Sequence, residues 1–192
     1  MYTRRVVAAL AAAALAGCAA ARSVEGPDLG QPAAARSVEG PDLGQPATPA
    51  EIAAWDISIP PDGAGLPPGS GTAAMGAIVY AEKCQACHGD KGAGQPNDRL
   101  VGGHGTLTST SPVRTIGSYW PYATTVFDYV RRAMPYTSPR TLSDADVYAV
   151  TAYLLYLNGI IAEPDVMNAQ TLPRVKMPNR DNFTLVYPAT SR

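Results

Sequence analysis

The stretch Cys84-Gln85-Ala86-Cys87-His88 constrains this chain more than any other, because it gathers three of the five cysteine and histidine residues of a 192-residue sequence into five positions. Two spacers between the cysteines bring both sulfurs onto one helical turn, and the next residue adds an imidazole to that turn. The chemistries open to such a cluster are a redox pair, a disulfide beside an incidental histidine, and covalent attachment of a cofactor. The rest of the sequence bears on which one applies.

The N-terminus MYTRRVVAALAAAALAGC has Arg4 and Arg5, an apolar run from Val6 to Ala16, and small residues at its end. That is the layout of a secretory leader, and its apolar run is too short to remain as a membrane-spanning helix. Leu15-Ala16-Gly17-Cys18 resembles the bacterial lipobox, which implies cleavage after residue 17 and acylation of Cys18. The plainer alternative is an ordinary cleaved leader near an unmodified cysteine. The resemblance implies a periplasmic protein anchored to a bacterial membrane. Ala19 lacks the acidic character associated with inner-membrane retention and points toward the outer membrane, with the inner one left open. Export also bears on the remaining thiols, since an oxidising compartment favours disulfides. With Cys18 acylated, Cys84 and Cys87 have only each other. A thioredoxin-like pair would need a βαβ context that the flanking residues do not offer.

AARSVEGPDLGQPA occurs twice in succession, at residues 20–33 and 34–47. Proline, glycine and few large apolar side chains continue through PPDGAGLPPGSG, so residues 18–71 read as a flexible tether that cannot offset the entropy of ordering. A coil of that length reaches roughly 40 Å. The tether holds two Lys/Arg against seven Asp/Glu, whereas residues 72–192 hold eleven against nine. A formal net charge of −1 gives no basic face for nucleic acid, and that class of partner is set aside. The expected organisation is a leader over 1–17, a tether over 18–71 and one folded domain over 72–192.

That domain reads as mainly α. A first helix runs over about Thr72 to Ala86 and carries Gly76 and Tyr80 on one face as it delivers the chain to Cys84. A second, Ala123 to Ala133, sets Val126, Phe127, Val130 and Ala133 in a stripe, with Arg131 and Arg132 in the last turn, where the helix dipole favours cations. In the third, Ser143 is the expected N-cap, Asp144 and Asp146 fill the first turn, one face holds Val147, Val150, Leu154 and Leu157, and Asn158-Gly159 ends it. Nothing alternates in the manner of a sheet. Long Gly/Pro-rich loops join these helices, which in a compact domain calls for an internal organiser.

C-x-x-C-H is the attachment signature of c-type haem: Cys84 and Cys87 would form thioethers with one porphyrin edge, and His88 would bind the iron. The ligating imidazole needs an acceptor for its Nδ1–H, for which a carbonyl near Gln95-Pro96 is expected. The sixth ligand is open among Met134, Met167, Met177 and His104. Met134, at the end of the second helix and before Pro135, is the leading choice, and Met177, also before a proline, is next. Tyr119, Trp120, Tyr122, Phe127 and Tyr129 could wall a porphyrin, with Arg114 or Arg131 on its propionates, or could equally be core aromatics beside solvated arginines. A His/Met iron would be closed to ligands and limited to electron exchange. An open distal site would instead suit a haem enzyme or ligand sensor, and a disulfide-bearing lipoprotein would hold no cofactor.

Gly76 and Tyr80, CQACH from Cys84 to His88, and Met134-Pro135 ahead of LSDADVYAVTAYL together resemble the class I c-type cytochromes. That resemblance implies first and last helices crossing near Gly76 and Tyr153, and a haem held by Cys84, Cys87, His88 and Met134. TIGSYWPYATTVFDYVRRAMPYTSPRTLSDADVYAVTAYLLYLNGII and LPRVKMPNRDNF resemble, more narrowly, the monohaem domain paired with molybdenum sulfite or sulfane dehydrogenases in bacterial sulfur oxidation. The likeness covers about residues 74–183. Together with the lipobox it implies a membrane-tethered carrier that takes single electrons from a dehydrogenase and gives them to a soluble cytochrome or an oxidase, and that is no enzyme in its own right. Related cytochromes serve dehydrogenases outside sulfur chemistry. The chain departs from longer relatives in having a lipoprotein leader and a single haem motif, and it has no further cysteine for the second centre of a dihaem thiosulfate dehydrogenase.

Overall fold

The structure, a computed structural model, describes residues 44–184. The expected leader, Cys18 and the first copy of the repeat lie outside the described residues. The chain divides into two units, Met1–Pro46 and Ala47–Arg192. The described residues of the second contain five α-helices, a two-stranded ribbon and two short 3-10 turns. None of the described helices is long and apolar enough to cross a membrane.

The second unit starts well before Thr72. Helix α1 (Pro49–Trp55) opens it with a capping box between Thr48 and Glu51 and with Pro49 in its first turn. From Ile59 onward the chain is fixed to the helices that follow. The Ile59 side chain is buried, and its backbone N–H donates to the buried carboxylate of Asp128 at 3.0 Å. The Thr124 hydroxyl donates to Pro61 O at 3.0 Å, and the Tyr148 hydroxyl donates to Pro67 O at 2.9 Å. The boundary expected at 71 is therefore too late. A proline-rich segment with two large aliphatic residues, Ile59 and Leu66, carries little sequence signal, and side chains far along the chain hold it here.

Strand β1 (Ser70–Thr72) pairs antiparallel with β2 (Val166–Asn168), setting Gly71 opposite the buried Met167. Three residues per strand are too few to show an alternating pattern, which is why no sheet is legible in the sequence. Thr72 then caps α2 (Ala73–Lys83), its hydroxyl accepting from the Met75 N–H. Cys84 leaves the helical region at φ −123°, and a new turn, α3 (Gln85–His88), follows, so the first expected helix is two pieces joined at Cys84. Helix α4 (Ala123–Ala133) has the expected bounds. Helix α5 (Asp144–Leu157) has the expected Ser143 cap, which forms a capping box with Asp146.

Helix α5 is the centre of the unit and packs against α2, α4 and both strands. It is accordingly buried around most of its circumference from Val147 to Ala152 and again at Leu154 and Leu155, whereas the expected single face had Leu157, which is half-exposed, and lacked Tyr148 and Leu155. It crosses α2 at Gly76, where an added methyl would fall on the Ala149 carbonyl oxygen and within 2.7 Å of Tyr153 Cβ. Tyr80, one turn on, packs its ring on Tyr153 with centroids 5.4 Å apart.

Candidate functional site

The Cys84–His88 turn is built by its own backbone and by the loop after it. Cys84 O accepts from the N–H groups of Cys87 (3.1 Å) and His88 (2.9 Å), so both cysteines and the histidine belong to one turn. The chain then reverses over Gly89 and Gly94. Gly94 N–H donates to His88 O at 2.8 Å, and Asn97 N–H donates to Cys87 O at 2.9 Å. Gly89 sits at φ 74°, and a side chain there would strike the Gly94 carbonyl, so this reversal requires glycine. Tyr80 reaches forward from α2 and donates its hydroxyl to Gly89 O at 2.9 Å. Burial pushes that phenol up to about 12, which keeps it a neutral donor.

His88 Nδ1 lies 2.9 Å from Asp98 O. A carbonyl only accepts, so Nδ1 carries the proton in this bond, and Nε2 of the neutral ring keeps its lone pair for a metal. The partner is thus a loop carbonyl two residues beyond the Gln95-Pro96 pair named from sequence. Cys84 and Cys87 are free thiols, Cys84 half-buried and Cys87 exposed. Burial first, and the neighbouring Cys87 second, push the Cys84 thiol up to about 11. A redox-active cysteine of the thioredoxin kind has its pKa depressed, so Cys84 does not have that character.

Four residues stand as candidates for a second iron ligand, and the structure treats them differently. Met167 and Met177 are buried in the hydrophobic core, Met177 at 3% exposure, enclosed by protein. His104 is exposed in a loop. Met134 caps the C-terminus of α4, its N–H on Val130 O, and lies half-buried against the same core as Cys84, Leu100 and Trp120. Only Met134 combines a fixed backbone with a side chain that is not enclosed.

The loop between Leu100 and Tyr122 is held by polar side chains that sequence reading passed over. Asn158, expected only as a helix stop, accepts from Gly102 N–H at 3.0 Å and donates to Leu100 O at 3.2 Å, tying α5 to the loop. Thr115 and Ser118 exchange bonds between backbone N–H and hydroxyl at 2.9 and 3.1 Å. Of the two arginines considered for propionates, Arg131 is paired with Asp144 at 2.9 Å and Arg114 lies over the Tyr119 ring at 5.4 Å. Arg180, not singled out from sequence, lies over the Tyr122 ring at 5.2 Å.

These residues fit a c-type haem. Both sulfurs are free on one turn, the imidazole is held in a ligating tautomer, and a methionine stands at a helix end on the same core. Comparison with known proteins bears on the family. The model of cytochrome c oxidase, cbb3-type, subunit III, matches residues 71–154. A chain of the crystal structure of the sulfane dehydrogenase SoxCD from Paracoccus pantotrophus is 49% identical, with a TM-score of 0.69 over 77% of this chain and 71% of that one. The chain is a c-type cytochrome. Its helical architecture is the class I fold, and haem c binding and electron transfer belong to the family. The cytochrome is also similar at 24% identity to a thiosulfate dehydrogenase, TsdBA from Marichromatium purpuratum, over 44% of this chain and 17% of that one. With a TM-score of 0.33 that likeness adds nothing to the fold assignment. No curated protein matches the cytochrome.

Proposed function

We propose that this cytochrome is a periplasmic, lipid-anchored electron carrier with a single covalent haem c, taking electrons one at a time from a molybdenum sulfite or sulfane dehydrogenase and passing them to a downstream cytochrome or oxidase. The observation that carries the reading is the 49% identity across 71% of a chain from a sulfane dehydrogenase. Haem c, joined to Cys84 and Cys87, would supply a one-electron couple. His88 would hold the iron through Nε2, with the ring kept in place by Asp98 O. Met134 would supply a thioether from the end of α4, a ligand type that favours ferrous iron. An iron held by both residues would exchange charge and not substrate, so the chain would act as a carrier and not as an enzyme in its own right. A two-electron oxidation by the dehydrogenase would then reach this one-electron carrier in two successive transfers.

Cys18 is the lipid attachment point, and residues 18–46 are the tether ahead of the second compact unit. A coil of that length reaches roughly 30 Å. Encounters with the electron acceptor are small and short-lived, as is usual for redox partners. The test is purification from native membranes after gentle crosslinking. A molybdenum enzyme that oxidises sulfite or sulfane sulfur is expected to accompany the cytochrome. A dehydrogenase of carbon or nitrogen compounds in its place would contradict the sulfur assignment and leave the carrier role standing.

A further inference from the structure

Helix α1 serves no packing purpose in its own unit. None of its residues is buried, and its two large apolar side chains, Ile52 and Trp55, are 54% and 84% exposed. They are three residues apart and so share one face of the helix. An isolated helix shorter than about 12 residues is marginal in water. This one has seven, and it nevertheless has a complete capping box and a proline in its first turn. Its base is fixed as well: Ile57 N–H donates to Trp55 O at 3.1 Å, and Ile59 is buried and bonded to Asp128. The arrangement is a capped helix held out from a rigid root, with its apolar face uncovered.

Two observations indicate what covers it. The match to the SoxCD chain covers 77% of 192 residues, about 148, and a span of that length that ends at or before residue 192 begins no later than about residue 45, ahead of α1. The helix is therefore within the part shared with a chain of a dehydrogenase. The charge is one-sided, too. No Lys or Arg occurs between Arg36 and Lys83, while Glu51 and Asp56 flank the apolar pair. Such a helix is repelled by an anionic lipid surface and complements a basic rim on a protein.

We propose that α1 is a docking arm for the electron-donating dehydrogenase, with Ile52 and Trp55 entering an apolar pocket rimmed by Lys or Arg on that enzyme. The inference rests on the dehydrogenase partnership proposed above. Tryptophan is the residue type that most often dominates an interface, because its area is large and its rotamers few.

The experiment uses the full-length, lipidated holoprotein in mild detergent, with the molybdenum dehydrogenase that crosslinks to it as the binding partner. Trp55→Ala and the Ile52→Ala/Trp55→Ala double variant are expected to lose about thirtyfold in affinity, Trp55→Phe is expected to retain most of it, and the haem spectrum and thermal midpoint should not change. An affinity unaffected by Trp55→Ala overturns the docking arm and leaves the partnership intact. A wild-type protein that no such dehydrogenase binds overturns both. Quenching of Trp55 fluorescence by brominated acyl chains in proteoliposomes containing the dehydrogenase would put the arm on lipid and overturn the proposal.

Discussion

The bond from His88 Nδ1 to Asp98 O does more than orient a ring. It commits one nitrogen to a proton, so that the other presents its lone pair on the side opposite the loop. Met134 and Met177 show the same principle, that environment decides use: each precedes a proline, yet one caps a helix half-buried and the other is enclosed in the core. Ferrous Met134→Leu is accordingly expected to bind carbon monoxide at pH 7, with a lowered reduction potential, whereas the wild-type protein binds it poorly. Met177→Leu should leave the spectrum unchanged and cost under about 1.5 kcal/mol, because it conserves volume in a packed core. Carbon monoxide uptake and the visible spectrum of each variant check both outcomes, and the reverse pattern would exchange the roles of the two methionines. At this scale the single turn shared by Cys84, Cys87 and His88 was legible because it follows from their spacing alone. Asp98 was not, since its contribution is a backbone carbonyl placed by the reversal at Gly89 and Gly94, which any residue could supply.

At the scale of elements, α2 and α5 cross in close backbone contact at Gly76. Gly76 has no room for a methyl because the obstacle is the Ala149 carbonyl, a backbone atom that cannot rotate away. Gly76→Ala is expected to force the helices apart at a cost of about 3 kcal/mol, measured by denaturant unfolding of the holoprotein. A loss under about 1 kcal/mol would mean that the crossing accommodates the methyl. Removing the hydroxyl of the α5 cap with Ser143→Ala should cost about 1 kcal/mol in the same assay. Helices α4 and α5 were legible because the apolar stripe and basic last turn mark α4, and the Ser143 cap, acidic first turn and Asn158-Gly159 stop mark α5. The orientation of α5 was not. A helix flanked by α2, α4 and a strand pair buries residues all round, and an amphipathic reading assigns it only one face. The buried Asp128 escaped notice for a related reason: its role is to receive the Ile59 N–H from a segment 69 residues earlier.

For the whole molecule, residues 47–71 are what distinguish this unit from the domain drawn from sequence alone, and Tyr148 is one of the residues that join them to its helices. Burial, with Asp144 second, pushes the Tyr148 phenol up to about 12, above the value of about 10 in an unfolded chain. The folded state therefore favours the protonated phenol. Its contribution to stability is complete below pH 10 and is lost as pH rises toward 12. Tyr148→Phe should show a deficit of about 1 kcal/mol at neutral pH from the missing bond to Pro67, and a shallower loss of stability between pH 9 and 11.5 that narrows the deficit. Equal slopes in the two proteins would contradict this account of Tyr148. The central claim is that the Cys84–His88 turn holds one covalently bound haem. The most direct measurement is the visible spectrum of the exported protein after reduction, denaturation and extraction with acidified solvent. Haem absorbance that stays with the polypeptide at one equivalent per chain is the predicted result, and a polypeptide left colourless would contradict the account.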